Sequence, residues 1–182
     1  MKLTHVRYSQ NHMATTFTFR VNCEERLVAL AERALTEALQ NVARLERELS
    51  EFLSESPIDR LNHTPCFQWV DLTPDGIALL DLSEKMRVLT TGAFDCTAKS
   101  NLQLPMTEKL EWRRDPGQAR RLHPKTRVGF GAIGKGYALD QARGILERLG
   151  FTNYSLSAGG SSLVFSGFAG PSEPWTWGWS WK

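Results

Sequence analysis

The stretch GFGAIGKGYALDQARGILERLG, residues Gly129 to Gly150, joins a glycine-rich turn to an amphipathic helix. Its apolar positions recur every three or four residues, as in a helix with one buried face: they are Tyr137, Ala138, Ala142, Ile145, Leu146 and Leu149. Gly150 then occupies the C′ position, where helices commonly end. Backbone amides at such a helix start attract anions. The stretch therefore predicts a helix whose first turn is a candidate site for a phosphate-bearing ligand.

Gly129, Gly131 and Gly134 also match the G-x-G-x-x-G motif of dinucleotide-binding folds. That motif requires an apolar strand directly before its first glycine. Here the preceding residues are RRLHPKTRV, which contain Pro124 and four Lys or Arg side chains. The motif also requires an acidic residue about twenty positions further on, where this chain has SAGG, residues 157–160. These differences disfavour a nicotinamide site.

Gly129 to Lys135 also match the G-x-x-x-x-G-K part of a triphosphate-binding loop. In that loop the lysine is followed by a Ser or Thr that binds magnesium, whereas Gly136 follows here. The triphosphate interpretation is therefore weaker still. A simpler alternative stays open, in which the glycines only allow a tight turn into a closely packed helix.

The rest of the chain alternates strand and helix patterns. Residues 13–21 alternate apolar and polar side chains and predict a half-buried strand. Residues 24–52 predict one long amphipathic helix that ends in a surface turn. Thr73-Pro74-Asp75 predicts the start of a second helix that stops at Gly92. Residues 107–126 are charged and poorly periodic, so we interpret them as a surface segment with at most one short helix.

Two short strands are predicted after the third helix, in NYSLSAGG and SLVFSG. The chain then ends in PSEPWTWGWSWK, whose tryptophans would share one face of a strand: Trp175, Trp177, Trp179 and Trp181. They either pack on the long helix as core or form an apolar patch that a homodimer or a second subunit covers. We expect one α+β domain over residues 1–182, with helices against a mostly antiparallel sheet.

Composition excludes several classes of protein. The 182 residues include 22 basic and 20 acidic side chains, which are well mixed and leave no basic stripe for nucleic acid. Cys23, Cys66 and Cys96 lack metal-site spacing, so we expect reduced and mostly buried thiols. No segment is apolar enough for a membrane span or a signal peptide. This indicates the cytoplasm, or an exported protein whose leader has been removed.

Five stretches follow one another along the chain: MATTF, RLERELSEFLSESPIDRLN, TGAFDCT, GFGAIGKGYALD and NYSLSAGGSSLVFSG. In this order they resemble the FAD:protein FMN transferases, the ApbE-type flavin transferases. MATTF is similar to the family's M-G-T, and RLERELSEFLSESPIDRLN to its long helix and following turn. TGAFDCT is similar to G-A-F-D-x-T, and GFGAIGKGYALD to the family's D-[LF]-[GS]-[GAT]-[IV]-[AG]-[KE]-G-Y-A-x-D. NYSLSAGGSSLVFSG resembles the family's strand-Gly-Gly-strand. The resemblance covers most of residues 9–170 and implies the flavin transferase fold without its C-terminal part.

The resemblance implies a magnesium-dependent reaction that splits FAD, esterifies FMN to a Ser or Thr hydroxyl of a target flavoprotein, and releases AMP. It places Met13 and Phe52 against the flavin. It also assigns FAD contacts to a group on one loop, namely Ala93, Phe94 and Asp95. As alternatives, Met13 and Phe52 are core residues and Asp95 caps a local turn.

The fourth motif carries three further assignments. Lys135 stands at an FAD-contact position, and Ala132 at a position that gives magnesium a ligand, here only its backbone carbonyl. Gly129 replaces the family's FAD-contacting Asp. Because magnesium requires about six oxygens, a second hypothesis is a non-catalytic homologue that binds a flavin nucleotide or acts as an assembly partner.

Overall fold

The computed structural model describes residues 3–170 and 173–178. In chain order the strands are β1 Leu3–His12, β2 Thr15–Glu24, β3 Val70–Asp71, β4 Leu110–Arg113, β5 Gln118–Arg121, β6 Tyr154–Ala158 and β7 Ser162–Ser166. The helices are α1 Val28–Leu49, α2 Pro57–His63, α3 Pro74–Leu89, α4 Met106–Lys109 and α5 Gly134–Arg148. Short 3-10 turns cover Glu25–Leu27 and Ala98–Ser100. No helix in these described ranges is long and apolar enough to cross a membrane.

The chain forms two compact units. The first contains Met1–Arg44 and Lys135–Lys182, and the second contains Leu45–Gly134. Each has its own antiparallel sheet, in the order β1-β2-β6-β7 in the first unit and β3-β5-β4 in the second. The mostly antiparallel α+β class is therefore confirmed. The assignment of residues 1–182 to one domain stays a prediction.

Strand β2 forms because its apolar residues alternate with polar ones. Phe17, Phe19 and Val21 are fully buried, whereas Thr18 and Arg20 on the opposite face are half-buried. The predicted start of this strand was wrong, because Met13 lies in the turn between β1 and β2. Met13 and Ala14 both have positive φ, 49° and 56°, as a two-residue hairpin turn of type I′ requires.

The core of the first unit lies between its sheet and its helices. Apolar side chains of α1 and α5 are buried at helical spacing: Ala31, Ala34, Leu35, Ala38, Leu39, Val42, Ala138, Leu139, Ala142 and Leu146. Polar bonds fix these elements at their edges. Arg148 of α5 pairs with Glu37 of α1 at 2.9 Å, and the Tyr154 hydroxyl of β6 donates to Glu147 of α5 at 2.6 Å. Burial and then the Glu147 bond raise the pKa of Tyr154 to about 12.

The predicted start of α3 and the predicted end of α5 are confirmed, whereas α3 ends at Leu89 and not at the predicted Gly92. The side chain of Thr73 accepts a hydrogen bond from the Gly76 amide at 3.2 Å, as an N-cap does. Gly150 has φ +84° after α5, and the Phe151 amide donates to the Leu146 carbonyl at 3.0 Å. This 6→1 bond is the mark of a Schellman ending, for which glycine is favoured.

The interpretation of residues 107–126 as only a surface segment was wrong. The short helix α4 is present, but β4 and β5 follow it as a hairpin. Leu110 and Ala119 are buried, and Trp112 donates from Nε1 to Asp81 at 3.0 Å. Charged side chains hide the strand pattern because they pair on the exposed face, as in the 2.6 Å bridge between Arg120 and Glu111.

The segment after β7 is fastened to β2. Asn22 is buried, and its side-chain amide donates to the carbonyls of Phe168 at 3.1 Å and Ala169 at 2.7 Å. Its side-chain oxygen lies 2.6 Å from the imidazole Nδ1 of His5. Asn22 thereby links β1, β2 and the chain beyond β7.

The predicted strand of tryptophans is not formed by residues 174–178, which have no regular structure. Trp175 and Trp177 both contact Phe165 of β7, with ring centroids 6.2 Å apart in each pair. Trp177 is 51% exposed, so the core alternative was wrong for this residue. Trp179 and Trp181 lie outside the described residues. The three cysteines are free thiols, and Cys23 and Cys96 are buried, as predicted.

Candidate functional site

Two of the predicted site segments lie side by side in the second unit. The Gly129 amide donates to the Cys96 carbonyl at 2.9 Å. This bond joins the glycine turn before α5 to the loop that carries Ala93, Phe94 and Asp95. The sequence assigned both segments to one ligand, and the structure brings them together.

Asp95 is held by neighbouring groups. Its Oδ1 accepts hydrogen bonds from the Thr97 amide at 2.7 Å and the Thr97 hydroxyl at 2.5 Å. Its Oδ2 accepts from the Lys109 ammonium at 2.8 Å. Burial opposes ionisation, but the bonds from Lys109 and Thr97 outweigh it and hold the pKa of Asp95 below its usual value. The geometry shows the local turn that was the alternative for this residue.

Lys109 is a site residue that sequence reasoning missed. Its side chain is only 2% exposed, and Asp95 beside it is 15% exposed. A buried ammonium is stable only with a partner, so this pair is part of how the loop is built. The available signal was a Lys directly before the alternating residues of β4, which the surrounding charges of residues 107–126 concealed.

Gly129 is closely packed against Glu51. A Cβ at position 129 would collide with Glu51 Oε1 and lie 2.9 Å from its Cδ. The carboxylate is held there by Lys99, whose Nζ is 2.7 Å from Oε1. The structure therefore places a carboxylate from position 51 in the space beside Gly129. No pattern in the sequence connected these two residues.

Phe52 is not a core residue. Its side chain is 82% exposed, and the Lys99 ammonium lies 4.9 Å from the ring centroid. The core alternative was therefore wrong for Phe52. Lys99 contacts both Glu51 and Phe52, so one cation, one carboxylate and one exposed ring stand together in the second unit.

The turn before α5 is exposed at Gly131 and Ala132. The Ile133 and Gly134 amides donate to the Phe130 carbonyl at 3.1 and 2.7 Å. Within residues 3–170 and 173–178, the Gly131 and Ala132 amides have no backbone acceptor. These two amides can therefore donate to an anion.

A magnesium ion does not fit the residues around Ala132. The described part of the chain contains no group of three or more His, Cys, Asp or Glu residues that could hold a metal. A backbone carbonyl at Ala132 is one oxygen of the roughly six that magnesium requires. The magnesium assignment to Ala132 therefore stays a prediction that these residues alone cannot satisfy.

The remaining predicted contacts belong to the first unit. Met13 is half-buried in the β1–β2 turn, and Lys135 is the second residue of α5 and also half-buried. Their predicted contacts with FAD stay predictions, as do those of Ala93, Phe94 and Asp95.

The antiparallel sheet against α1 and α5, with the strand-Gly-Gly-strand of β6 and β7, defines an α+β fold of the flavin transferase type. A family model described as the ApbE family matches residues 13–106 and 98–179. The chain belongs to the ApbE family. No curated protein sequence matches it significantly.

Solved structures show the same fold. The flavin transferase ApbE from Vibrio cholerae has a TM-score of 0.83 at 17% identity, over 96% of this chain and 63% of that one. The apo form of the flavinyl transferase ApbE from Pseudomonas stutzeri has a TM-score of 0.80 at 20% identity, over 96% of this chain and 60% of that one. The ApbE protein from Thermotoga maritima has a TM-score of 0.70 at 20% identity, over 86% of this chain and 57% of that one. The chain thus spans less than two thirds of these proteins.

Proposed function

We propose that this chain binds FAD and takes part in the transfer of FMN from FAD to a Ser or Thr hydroxyl of a target flavoprotein. Membership of the ApbE family gives the reaction class. The observation that carries the proposal is the 2.9 Å bond between Gly129 and Cys96. It holds the glycine turn and the Asp95 loop together.

The residues of the second unit have the chemistry that a flavin dinucleotide requires. The exposed amides of Gly131 and Ala132 donate to pyrophosphate oxygens. Lys99 supplies a positive charge, and the Phe52 ring offers a flat apolar surface for the isoalloxazine or the adenine. The Glu51 carboxylate accepts hydrogen bonds from sugar or ribityl hydroxyls. Asp95, already bonded to Thr97 and Lys109, fixes the loop.

In the proposed reaction the target hydroxyl oxygen attacks the phosphorus of the FMN half. The bond from that phosphorus to the bridging oxygen breaks, AMP leaves with that oxygen, and the hydroxyl proton passes to solvent or a base. Such transfers depend on positioning and charge neutralisation more than on a protein nucleophile. This chain contributes binding, orientation and the Lys99 charge. Magnesium, which the family resemblance implies, would supply further neutralisation.

A calorimetric titration of the chain with FAD, with and without magnesium, tests the binding step. We expect a Kd in the micromolar range or weaker and a loss of affinity in the Gly131→Pro variant, which loses one amide donor. Leu104→Ala, an exposed residue of the same unit, is the matched control. No heat with FAD, FMN, ADP or AMP would contradict the proposal.

The transfer step is tested with FAD, magnesium and a peptide that carries the acceptor hydroxyl. The expected product is a fluorescent flavinylated peptide on a denaturing gel. We expect it when a second polypeptide supplies the magnesium ligands that the residues around Ala132 lack. Absence of product under every condition that gives FAD binding would exclude transfer.

One observation favours the second hypothesis, a flavin-binding homologue without catalysis. The Asp95 carboxylate is engaged by Thr97 and Lys109, and the described residues form no carboxylate cluster for a metal. FAD binding without product at any magnesium concentration would support this hypothesis. Product formation would exclude it.

A further inference from the structure

The outer face of the sheet in the first unit carries a groove of about 430 Å³. Its floor consists of outward-facing residues of β2 and β6, and Arg7 of β1 lines it from one side. Phe165, Trp175 and Trp177 line it as aromatic residues. None of these residues is part of the proposed flavin site.

The strand register places two arginines opposite each other in this groove. Arg7 of β1 pairs with Arg20 of β2, and Arg20 pairs in turn with Ser155 of β6. The neighbouring outward row contains Thr18 opposite Ser157. Because Phe19 and Val21, which alternate with Thr18 and Arg20, are fully buried on the inner face, Thr18 and Arg20 point outward.

Like charges directly opposite on two strands repel each other. Within residues 3–170 and 173–178, neither Arg7 nor Arg20 forms an ion pair with a carboxylate. The Arg20 guanidinium lies 5.9 Å from the centroid of the Trp175 ring, and Trp175 is held by its indole Nε1, which donates to the Ser166 carbonyl at 2.9 Å. Arg20 is thereby oriented without being neutralised.

The floor also supplies neutral donors. The Ser157 hydroxyl oxygen accepts a hydrogen bond from the Gly160 amide at 3.3 Å, which leaves its O–H to donate. Ser155 adds a second hydroxyl in the row of Arg20. Two guanidinium groups with hydroxyl donors suit a multiply charged oxyanion, since arginine binds phosphate with paired N–H donors.

We infer that this groove binds a small phosphate-bearing anion, of the diphosphate class, between Arg7 and Arg20. The anion neutralises the like-charged pair, and the serine hydroxyls donate to its remaining oxygens. This binding function is additional to FAD binding and does not depend on it.

Calorimetry with inorganic pyrophosphate in a low-salt, phosphate-free buffer tests the inference. We expect binding with a Kd below about 1 mM. Arg7→Gln and Arg20→Gln should each weaken it about tenfold or more, because each removes charge-assisted hydrogen bonds. Arg33→Gln, an exposed arginine of α1, should leave it unchanged. Lys99→Gln of the second unit reports any pyrophosphate that binds at the proposed flavin site instead.

Thermal unfolding gives a second measurement that is independent of the binding heat. Without anion, Arg7→Gln should melt at the same temperature as the wild type or higher, because the repulsion with Arg20 is removed. Pyrophosphate should raise the Tm of the wild type by more than it raises the Tm of the Arg7→Gln/Arg20→Gln variant. FAD titrations of that variant should match the wild type.

The inference is overturned if the wild type gives no heat with pyrophosphate. It is also overturned if the double variant binds as tightly as the wild type, or if only Lys99→Gln loses binding. If the wild type binds pyrophosphate through Arg7 and Arg20 but does not bind FAD, this result would count against the proposed function and not against the pyrophosphate site.

Discussion

The Glu51 carboxylate occupies the space that a side chain at residue 129 would need. Position 129 is where the resembling family has an acidic residue and this chain has glycine. The acidic group beside the turn is therefore supplied from the segment directly after α1. The effect of a substitution at position 51 or 129 on stability should therefore depend on which residue occupies the other position.

Gly129→Asp should destabilise the second unit by about 1 to 3 kcal/mol, because the new side chain overlaps Glu51 and adds a like charge. Glu51→Ala/Gly129→Asp should recover most of that loss, since the space and the repulsion are both relieved. Urea unfolding of the two variants and of Glu51→Ala measures the coupling. Equal stability of Gly129→Asp and the wild type would contradict the packing described here.

Asp95→Ala should cost about 3 to 5 kcal/mol, because it leaves the Lys109 ammonium buried without its carboxylate. Asp95→Asn/Lys109→Met should cost less than the sum of its single variants, as it removes both charges together. Chemical denaturation of the four proteins in this double-mutant cycle gives the coupling energy. Additive losses would show that the pair is not coupled.

Acid should weaken the fold through Asp95. The pKa of this carboxylate is lower in the folded protein than in the unfolded chain, so its contribution is complete above the unfolded pKa of about 4. That contribution is lost as the pH falls through the lower folded pKa. The unfolding free energy of Asp95→Asn should therefore depend less on pH below about 4 than that of the wild type. Parallel curves for the two proteins would contradict the shift.

Phe52→Ala should leave stability within about 0.5 kcal/mol, because the ring is 82% exposed. If the ring contacts flavin or adenine, FAD affinity should fall about three- to tenfold. Phe67→Ala, another exposed phenylalanine of the second unit at 63%, is the control for FAD titration. Equal FAD affinity in Phe52→Ala and Phe67→Ala would remove Phe52 from the proposed site.

The sequence predicted those elements whose signals are local. The Thr73 cap, the Gly150 ending and the alternation in β2 depend on neighbouring residues, so their patterns were visible. Strand β1 was not predicted, because only Val6 of its ten residues is buried. Its edge position leaves most of the other side chains exposed, and most of them are polar, which gives no clear apolar alternation.

The site was predictable only in part for the same reason. Motif order indicated that Asp95 and Gly129 belong to one region, and the structure joins their loops through Cys96. The pairs of Lys109 with Asp95 and of Glu51 with Gly129 connect residues 14 and 78 positions apart. Such pairs depend on tertiary packing, which neither spacing nor composition records.

The bonds from Asn22 to the carbonyls of Phe168 and Ala169 bear on how this chain can be shortened. A truncation directly after β7 would strip the buried Asn22 amide of both acceptors, although it removes no strand. A shortened form of this chain that keeps these bonds should therefore extend past Ala169. A side-chain amide, and not the last element of regular structure, sets the cloning boundary.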